Sequence, residues 1–279
     1  MRKHYQQSLI LIFFTFFASF GQNKNVLNQE RKTFKDSISF SQLKTDTLFN
    51  SKQIISLLSF QKNSYDRFRV EFGYRIAELR TTSSFGKSKN ALAAINGSFF
   101  DMDNGGSVSY FEVNDTVINR NRPFDLKWAK SDSIINGAIV ISKDFKIIIQ
   151  PANSEQFYEQ SKQEEAVLVT GPLLLSNSEI IKLPNMNLVN KRHPRTCLCE
   201  TNKSVIFITI DGRNTEAEGM SLIETQKFLL SLGCVDAINL DGGGSTTMWT
   251  KEKNIVNFPS DELRERPVSN VLLIVKNKH

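Results

Sequence analysis

The spacing of apolar and polar positions in the last third of the chain predicts a strand, a helix and a second strand. Residues 205–210 are a continuous apolar, β-branched run, which is typical of a strand buried on both faces. Residues 221–224 (SLIE) have the sequence of a capping box, and the helix that follows is expected to end at Gly233. A second apolar run occupies residues 235–240. Over residues 205–240, this order predicts two parallel strands joined by a right-handed crossover.

Earlier segments also favour strands. Residues 67–72 and 107–113 alternate apolar and polar positions with a period of two. The apolar runs at residues 134–141 and 145–149 are separated by the polar residues 142–144, and they predict a hairpin. The first two-thirds of the chain is therefore expected to be rich in strands.

The N-terminus predicts export. Arg2 and Lys3 precede an unbroken apolar run over residues 9–17, which is the pattern of a signal peptide over residues 1–21 with cleavage before Gln22. The run is too short for a comfortable transmembrane helix, and no later segment approaches a membrane span. No cysteine lies near the cleavage point, so there is no lipobox. A secreted or periplasmic protein without a stable membrane span after signal cleavage is expected.

Composition predicts one mildly basic globular domain. The chain has 279 residues, 40% of them hydrophobic and 23% charged, so it can bury a full core. Residues 22–50 are polar and are interpreted as a leader that joins the signal to a domain over residues 51–279. The net charge of +6 is spread along the chain, which favours anionic substrates and argues against nucleic-acid binding. Two alternatives remain open for Cys197, Cys199 and Cys234: one disulfide to Cys234, or three buried thiols.

A glycine loop, residues 241–247 (DGGGSTT), directly follows the second predicted strand. Three consecutive glycines cost backbone entropy, and the usual reasons for them are positive φ angles or the close approach of a ligand. The amides of Gly242, Gly243, Gly244 and Ser245 are expected to form an anion-binding nest, to which Ser245 and Thr246 add hydroxyl donors. A tight turn that only ends the strand is the alternative.

Two aspartates are expected at one edge of the sheet. Asp211 and Asp241 each follow one of the two parallel strands, and ligands bind where the carboxyl ends of such strands meet. If the strands are neighbours, the two backbones lie roughly 5 Å apart. Glu218, in the loop before the helix, is a third carboxylate in reserve.

Other familiar site chemistries fit this sequence poorly. The glycine loop lacks the last glycine of a G-x-S-x-G nucleophile elbow, and His193 is the one plausible imidazole for a serine hydrolase. One histidine and three scattered cysteines do not have the spacing of a zinc site. Residues 101–106 approach the pattern of an EF-hand loop, so Asp101 and Asp103 are candidate ligands for a divalent cation such as calcium. A hairpin turn is the main prediction there.

Six short motifs in a fixed order resemble the phosphodiester glycosidase family. The resemblance extends over about residues 60–275, and its motifs are Ala94–Asp101 (AINGSFFD), Thr170–Pro172 (TGP), His193–Thr196 (HPRT), Thr209–Arg213 (TIDGR), Asn239–Ser245 (NLDGGGS) and Arg266–Asn270 (RPVSN). The resemblance implies an α+β fold with a curved mixed β-sheet core and peripheral helices. It also implies hydrolysis of a sugar joined through its anomeric carbon to a phosphate diester. The segment Cys197-Leu198-Cys199 departs from the small residues usual in the family.

The carboxylates and arginines of these motifs fit the implied reaction. Asp211 and Asp241, with Glu218 in reserve, are candidates for activating water or facing an oxocarbenium-like transition state. Arg195 and Arg213 are expected to stabilise negative charge on the phosphate.

The first motif supplies candidate binding groups. Asn96 and Ser98 are expected to hold sugar hydroxyls or phosphate oxygens, and Phe99 offers a stacking face, with core packing as its alternative. A phosphorylated or phosphodiester-linked glycan is the expected substrate, and no cofactor is required. The rival interpretation is a non-catalytic module that binds anionic glycans at the cell surface.

Overall fold

Three β-sheets make up the part of the chain that the computed structural model describes, residues 28–33 and 38–277. The predicted signal peptide lies outside the described residues. All registered pairs of neighbouring strands are antiparallel, and the few helices are short. The expected α+β fold with a mixed sheet is therefore only partly correct. The described chain is mostly β with few short helices, and its sheets are antiparallel.

The strands are numbered in chain order, which differs from their spatial order within each sheet. From one edge to the other, the eight-stranded sheet contains β1 (Asn28–Thr33), β2 (Ile38–Thr45), β3 (Gln53–Gln61), β14 (Ser204–Ile210), β13 (Arg195–Glu200), β15 (Asp236–Asn239), β11 (Leu173–Ser176) and β12 (Glu179–Ile180). One five-stranded sheet contains β7 (Thr116–Asn119), β6 (Phe111–Val113), β10 (Glu164–Thr170), β8 (Gly137–Ser142) and β9 (Ile147–Pro151). The other contains β17 (Asn254–Ile255), β16 (Met248–Thr250), β5 (Ala93–Asn96), β18 (Asn270–Lys276) and β4 (Phe68–Tyr74).

The α-helices of the described chain are α1 (Thr82–Ser88), α2 (Glu155–Ser161), α3 (Asn187–Asn190) and α4 (Leu222–Ser231). Short 3-10 turns occupy Leu48–Asn50, Lys62–Ser64 and Gly243–Ser245. Over residues 28–33 and 38–277, no helix is long and apolar enough to cross a bilayer.

The eight-stranded sheet is buried on both faces because its central strands are apolar on both sides. Phe207 of β14 faces a core that it shares with Phe72 and Leu168 of the two smaller sheets. Ile208, the next residue, points to the opposite face and packs in a second core with Phe228 of α4. Full burial of such a side chain contributes about 1.5–3 kcal/mol, so this sheet is the rigid base on which the loops at its edge are held.

The structure confirms the elements predicted over residues 205–240 as β14, α4 and β15, and it confirms the hairpin of β8 and β9. The capping box is formed: the Glu224 amide donates to Ser221 Oγ at 3.2 Å, and the Ser221 amide donates to the Glu224 carboxylate at 2.9 Å. Gly233 follows the helix with a φ of 78°, the left-handed conformation expected there.

β14 and β15 are not neighbours. β13 lies between them and pairs antiparallel with both, so β14 and β15 are parallel to each other but two strand spacings apart, roughly 10 Å. The crossover therefore skips the strand that forms a hairpin with β14. The expectation of adjacent Asp211 and Asp241 backbones is wrong for this reason.

Part of the predicted polar leader belongs to the sheet. β2 pairs with β3 along its whole length, and its Ile38 and Phe40 are buried. The period-two pattern there consists of only two apolar residues among serines. The segment is polar in composition, so the strand was not predicted. The ordered fold therefore begins before residue 51, and the leader boundary is wrong over residues 38–45.

Of the two alternatives for the cysteines, the structure has the disulfide. Cys199 is bonded to Cys234, and Cys197 is a buried thiol. Residues two apart on a strand point to the same face, so both cysteines of β13 face the helix-covered core where Cys234 lies. A disulfide of this kind is typical of proteins from an oxidising compartment.

Candidate functional site

The glycine loop lies at the edge of the large sheet, held by backbone hydrogen bonds to two other motifs. The Asp241 amide donates to the Gly97 carbonyl at 2.9 Å, and the Gly243 amide donates to the Pro194 carbonyl at 2.9 Å. Asn96 Nδ2 donates to the Asp241 carbonyl at 2.6 Å. Three motifs that are distant in sequence therefore meet at this loop.

Two of the three glycines are needed because guanidinium groups lie against them. Gly243 has a φ of 61°, and a Cβ there would be 3.0 Å from Arg213 Nη2. A Cβ on Gly244 would lie 2.5 Å from Cζ of Arg266, so any side chain there would force Arg266 to move. An arginine side chain therefore lies directly against each of two successive glycines of the loop.

Both arginines are oriented by a second polar group. Arg213 Nη2 donates to Nδ1 of His193 at 3.2 Å. Burial, followed by the charges of Arg195 and Arg213, lowers the pKa of His193, so its ring is neutral and can accept that bond. Arg266 Nε donates to Asp261 Oδ2 at 2.7 Å.

Asp241 is the carboxylate of this cluster. It is half-buried, and loss of hydration raises its pKa. The nearby Ser245 hydroxyl, the positive charges of Lys130 and Arg266, and the Gly242 amide oppose the rise without cancelling it. A carboxylate with a raised pKa and some access to solvent is a stronger proton acceptor than an ordinary surface aspartate.

Three hydroxyl groups in the second half of the loop lack a hydrogen bond of normal geometry, although that of Ser245 lies close enough to the Asp241 carboxylate to lower its pKa. Ser245 Oγ, Thr246 Oγ1 and Thr247 Oγ1 are buried, and none makes a hydrogen bond of normal geometry within the described part of the chain. Buried polar groups are normally hydrogen-bonded, so three in a row need an explanation. Donors held ready for a bound polar molecule supply one.

Asp211 has a different environment. Its side chain is 1% exposed, and it accepts hydrogen bonds from Asn257 Nδ2 at 2.9 Å and from the Phe258 amide at 3.0 Å. Burial raises the pKa of Asp211 to about 6, and these bonds lower it in part. Asn257 Nδ2 also donates to the Thr246 carbonyl at 3.1 Å. Asp211 therefore anchors a segment that is itself hydrogen-bonded to the glycine loop.

Glu218 lies apart from the cluster around Asp241. It is exposed and forms an ion pair with Arg192 at 2.8 Å. Arg192 also pairs with Glu224 of the helix cap at 2.7 Å. The geometry places Glu218 in a surface network around the start of α4.

Arg195 does not reach the surface of the site. It is 1% exposed, and its guanidinium donates to the carbonyls of Met220, Leu188 and Lys191 at 2.8–2.9 Å. Burial lowers the pKa of Arg195 to about 10. The geometry favours a structural role, in which Arg195 ties β13 to the segments around α3, over direct contact with phosphate.

The other predicted binding residues of the first motif are also used internally. Asn96 Oδ1 accepts bonds from Thr196 Oγ1 at 2.7 Å and from the Thr247 amide at 3.0 Å. Ser98 is 1% exposed and bonds Asn270 and Ser107. Phe99 is 5% exposed, and the Lys130 ammonium lies 5.2 Å from the centre of its ring.

The candidate cation ligands are paired with other groups in a hairpin turn. Asp101 is buried and forms an ion pair with Arg122 at 2.7 Å. Burial acts to raise the pKa of Asp101, but hydrogen bonds from the Asn104 and Asp103 amides and from Arg122 hold it well below its usual range. Asp103 bonds Lys127 and Trp128 Nε1. Across the described residues, no group of three or more His, Cys, Asp or Glu side chains has metal-site geometry.

Lys130, Asp261 and Arg266 were missed as site residues. Arg266 is the first residue of the last sequence motif, and this motif was the one available signal of its importance. The motif did not reveal that Arg266 contacts Gly244. Lys130 and Asp261 are ordinary charged residues in loops, and no local pattern distinguishes them. His193 was considered only as a catalytic base, whereas it orients Arg213.

The fold and this cluster define a class of protein. A family model described as phosphodiester glycosidase matches residues 89–275, well over half of the chain. The chain therefore belongs to the phosphodiester glycosidase family.

The chain is similar to known relatives and solved structures. It is 23% identical over 214 residues to the human N-acetylglucosamine-1-phosphodiester alpha-N-acetylglucosaminidase. The aligned region covers 70% of this chain and 39% of the human protein. It is 36% identical over 87 residues to the SPbeta prophage-derived uncharacterized protein YomE of Bacillus subtilis, 31% of this chain and 13% of that protein. The chain thus spans well under half of the length of these relatives.

The fold matches the zebrafish catalytic domain of the same enzyme, described as auto-inhibited by its pro-peptide. The TM-score is 0.65 at 20% identity, with 91% of this chain and 86% of that chain covered. A hypothetical protein from Synechocystis matches with a TM-score of 0.68 at 12% identity, over 91% of this chain and 64% of that one. At these identities the likeness establishes the fold.

Proposed function

We propose that the protein is an exported hydrolase that cleaves the bond between the anomeric carbon of a sugar and a phosphate diester. The observation that carries the proposal is a pair of guanidinium groups against the glycine loop. Arg213 lies against Gly243 and Arg266 lies against Gly244, and the half-buried Asp241 belongs to the same loop. The glycine loop thus combines an anion-binding surface with a carboxylate, and this reaction needs both.

In the proposed complex, the phosphate lies on the glycine loop between Arg213 and Arg266. Arginine recognises phosphate through paired, directional donors, and the hydroxyls of Ser245 and Thr246 add further donors. A phosphate ester departs with negative charge, so fixed cations at its oxygens stabilise the transition state. The reaction then depends less on a general acid than hydrolysis of an ordinary glycoside does.

Asp241 is proposed as the carboxylate that faces the anomeric carbon. There it either activates a water molecule or stabilises the developing positive charge of the ring. Its raised pKa suits the first role, because a more basic carboxylate accepts a proton from water more readily. The positive charges of Lys130 and Arg266 favour the ionised form of Asp241 and oppose the effect of burial.

Asp211 and Glu218 receive supporting roles in this proposal. Asp211 positions the segment that holds the glycine loop, and Glu218 belongs to the Arg192 network at the helix cap. The proposed reaction requires no cofactor. If calcium contributes, Asp101 and Asp103 remain its predicted ligands, with a structural role in their turn.

An extracytoplasmic location is part of the proposal. It is supported by the Cys199–Cys234 disulfide and by the predicted signal peptide. The expected substrate is accordingly an envelope or extracellular glycan that carries sugar-1-phosphate diesters.

The test is product analysis with two substrates that share a sugar. The purified protein is incubated with a methyl diester of a sugar 1-phosphate and with the aryl glycoside of the same sugar. Free sugar and methyl phosphate from the diester, with little release from the glycoside, are expected. Preference for the aryl glycoside contradicts the proposal and indicates an ordinary glycosidase. Binding of the diester without product favours the non-catalytic glycan-binding module.

A further inference from the structure

Exposed apolar side chains occur on the segment that is bonded to the glycine loop and on segments near Lys130. Eleven large apolar residues of the described chain are strongly exposed. Six of them lie on four segments: Phe258 and Leu263 on a segment bonded to the glycine loop, and Ile76, Met102, Phe124 and Leu126 on three segments that contact one another. Single exposed apolar residues are normal on a protein surface, but their concentration at one place indicates a binding surface.

The segment 257–266 borders the glycine loop on one side. Asn257 Nδ2 donates to the Thr246 carbonyl at 3.1 Å at the start of the segment. Near its end, Asp261 Oδ2 holds Arg266 at 2.7 Å and lies 2.8 Å from the position of a Cβ on Gly244. The segment is thus attached at both ends to the loop. Its two strongly exposed apolar residues are held at the rim of the site: Phe258 (64% exposed) and Leu263 (76% exposed).

A second apolar border belongs to the segment 122–130. At its end Lys130 lies over Phe99, and its charge acts on Asp241. Trp128 Nε1 donates to Asp103 Oδ2 at 2.9 Å, which joins this segment to the turn of residues 101–106. The apolar residues carried by the two joined segments are Phe124 (77% exposed), Leu126 (51%) and Met102 (41%).

Ile76 extends this second border. Its carbonyl oxygen lies 2.9 Å from the position of a Cβ on Gly106, so its backbone packs directly against the same turn. The Ile76 side chain is 63% exposed. Exposed apolar side chains are therefore carried both by the segment bonded to the glycine loop and by the segments joined to the turn of residues 101–106.

The residue types at this rim favour a hydrocarbon partner over a sugar ring. An aromatic ring can stack on a sugar, but four of the six rim residues are aliphatic and offer only apolar surface. Covering such a surface with hydrocarbon removes it from water, which is favourable in free energy. The cations Arg213 and Arg266 lie against the glycine loop, to which the segment carrying Phe258 and Leu263 is bonded. The combination of cationic floor and apolar rim matches an amphiphile with an anionic group next to a hydrocarbon chain.

We infer that the natural substrate is a sugar phosphodiester whose alcohol part is a long hydrocarbon chain, with its phosphate on Arg213 and Arg266 and its chain along the apolar rim. This inference rests on the proposed function and names the leaving side of the substrate. Cleavage at the anomeric carbon adds water across the C–O bond. The sugar gains the hydroxyl group of the water, the alkyl phosphate departs with the bonding electron pair, and the remaining proton of the water is released.

The first test measures binding without any reaction. Methyl phosphate and hexyl phosphate are titrated calorimetrically into the wild-type protein. If the chain buries roughly three methylene groups, hexyl phosphate should bind on the order of 50-fold more tightly. The double variant Phe258→Ser/Leu263→Ser should lose most of this preference and bind methyl phosphate as the wild type does. Equal binding of the two esters by the wild type overturns the inference.

The matched control is the double variant Phe157→Ser/Ile223→Ser. These residues are also exposed, although less so at 48% and 45%, and they lie on α2 and α4. The control should keep the full preference for hexyl phosphate. If it loses as much preference as the rim variant, the effect is not local to the rim and the inference is wrong.

Hydrolysis assays separate this inference from the proposed function. The methyl and hexyl diesters of one sugar 1-phosphate are compared, and a higher kcat/KM for the hexyl diester is expected. Equal turnover of both diesters supports the proposed function and contradicts the inferred preference for a hydrocarbon chain. Preferential binding of hexyl phosphate without hydrolysis of either diester keeps the apolar rim and rejects the function.

A last arm distinguishes a substrate chain from a bilayer. The protein is sedimented with phosphatidylcholine vesicles in the absence of any phosphate ester. The wild type is expected to stay in the supernatant. Sedimentation that Phe258→Ser/Leu263→Ser abolishes would identify the rim as a membrane-docking surface instead, and it would overturn the assignment to the substrate.

Discussion

The two aspartates at the edge of the large sheet, Asp211 and Asp241, look equivalent in sequence and occupy opposite kinds of environment. Each follows a strand and precedes a glycine, and burial raises the pKa of each. Asp211 is 1% exposed and binds the Asn257 side chain and the Phe258 amide. Asp241 is half-buried and lies near the Ser245 hydroxyl and the cations Lys130 and Arg266.

This difference shows that position at a sheet edge selects candidates but does not assign their roles. The role depends on what the carboxylate is bonded to. Asp211 uses its hydrogen-bonding capacity within the protein, while Asp241 keeps capacity for a ligand. Variants of the two aspartates and of their neighbours test this distinction, beginning with the largest expected change in turnover.

Replacing Asp241 by Asn should abolish most of the diester hydrolysis. The amide cannot activate water or stabilise an oxocarbenium-like ring, and loss of such a group typically costs about 10³-fold in rate. The side chain is half-buried, so the fold should be retained. The kcat/KM of the variant on the sugar-1-phosphate diester and its thermal unfolding curve check this. Unchanged hydrolysis would remove Asp241 from the mechanism.

Replacing Arg266 or Arg213 by Gln should reduce turnover by about 10²-fold, since each removes one fixed positive charge from the departing phosphate. The loss should be larger for the diester than for an aryl glycoside, because only the diester develops charge on phosphate. Steady-state kinetics on both substrates measure the split.

Arg264→Gln is the matched control for the arginines. Arg264 is an exposed neighbour in the same segment, and its removal should change kcat/KM by less than about twofold, as surface charges contribute little. Equal losses in Arg264→Gln and Arg266→Gln would mean that general surface charge, rather than the glycine loop, attracts the substrate.

Local patterns in the sequence were enough to predict much of the fold around the site. The β14, α4 and β15 elements follow from hydrophobic period and capping chemistry, which depend only on near neighbours in sequence. The insertion of β13 between β14 and β15 could not be predicted this way. It depends on which long-range pairing buries the most apolar surface, and a single crossover pattern is compatible with either arrangement.

The site was predictable in its loop and not in its surroundings. Three successive glycines and the neighbouring Asp241 are a local signal of close approach to the backbone. Arg195 was expected to contact phosphate but donates to three backbone carbonyls instead. Lys130 comes from a loop more than a hundred residues earlier. The direction of a side chain and the meeting of distant loops are set by tertiary packing, which no local pattern encodes.

Gly244→Ala should weaken substrate binding with a smaller effect than the arginine variants. The added Cβ would collide with the Arg266 guanidinium and with Asp261 Oδ2, 2.8 Å away, so Arg266 must move from the loop. We expect KM for the diester to rise about tenfold, consistent with the cost of overpacking a tight contact. An unchanged KM would indicate that the position of Arg266 on Gly244 does not matter to the reaction.

Asp211→Asn should change turnover least, and its main effect should be on how stability depends on pH. Burial raises the pKa of Asp211 to about 6 from 3.8, so between about pH 4 and pH 6 the folded protein binds the proton more tightly than the unfolded chain does. This group therefore favours the fold fully below pH 4, and that contribution is lost as the pH rises to about 6. Its total is roughly 2–3 kcal/mol from the size of the shift.

The measurement for Asp211 is the difference in free energy of unfolding between wild type and Asp211→Asn, by denaturant titration from pH 4 to pH 8. The other titrating carboxyls are common to both proteins and cancel. Asparagine keeps an oxygen that accepts from the Phe258 amide but carries no charge, so the variant should gain stability relative to wild type as the pH rises to about 6, and no further above it. A constant difference across this range would show that Asp211 has an ordinary pKa. A loss of turnover as large as that of Asp241→Asn would show that the two aspartates act together on the substrate, and that the contrast drawn from their hydrogen bonds is wrong.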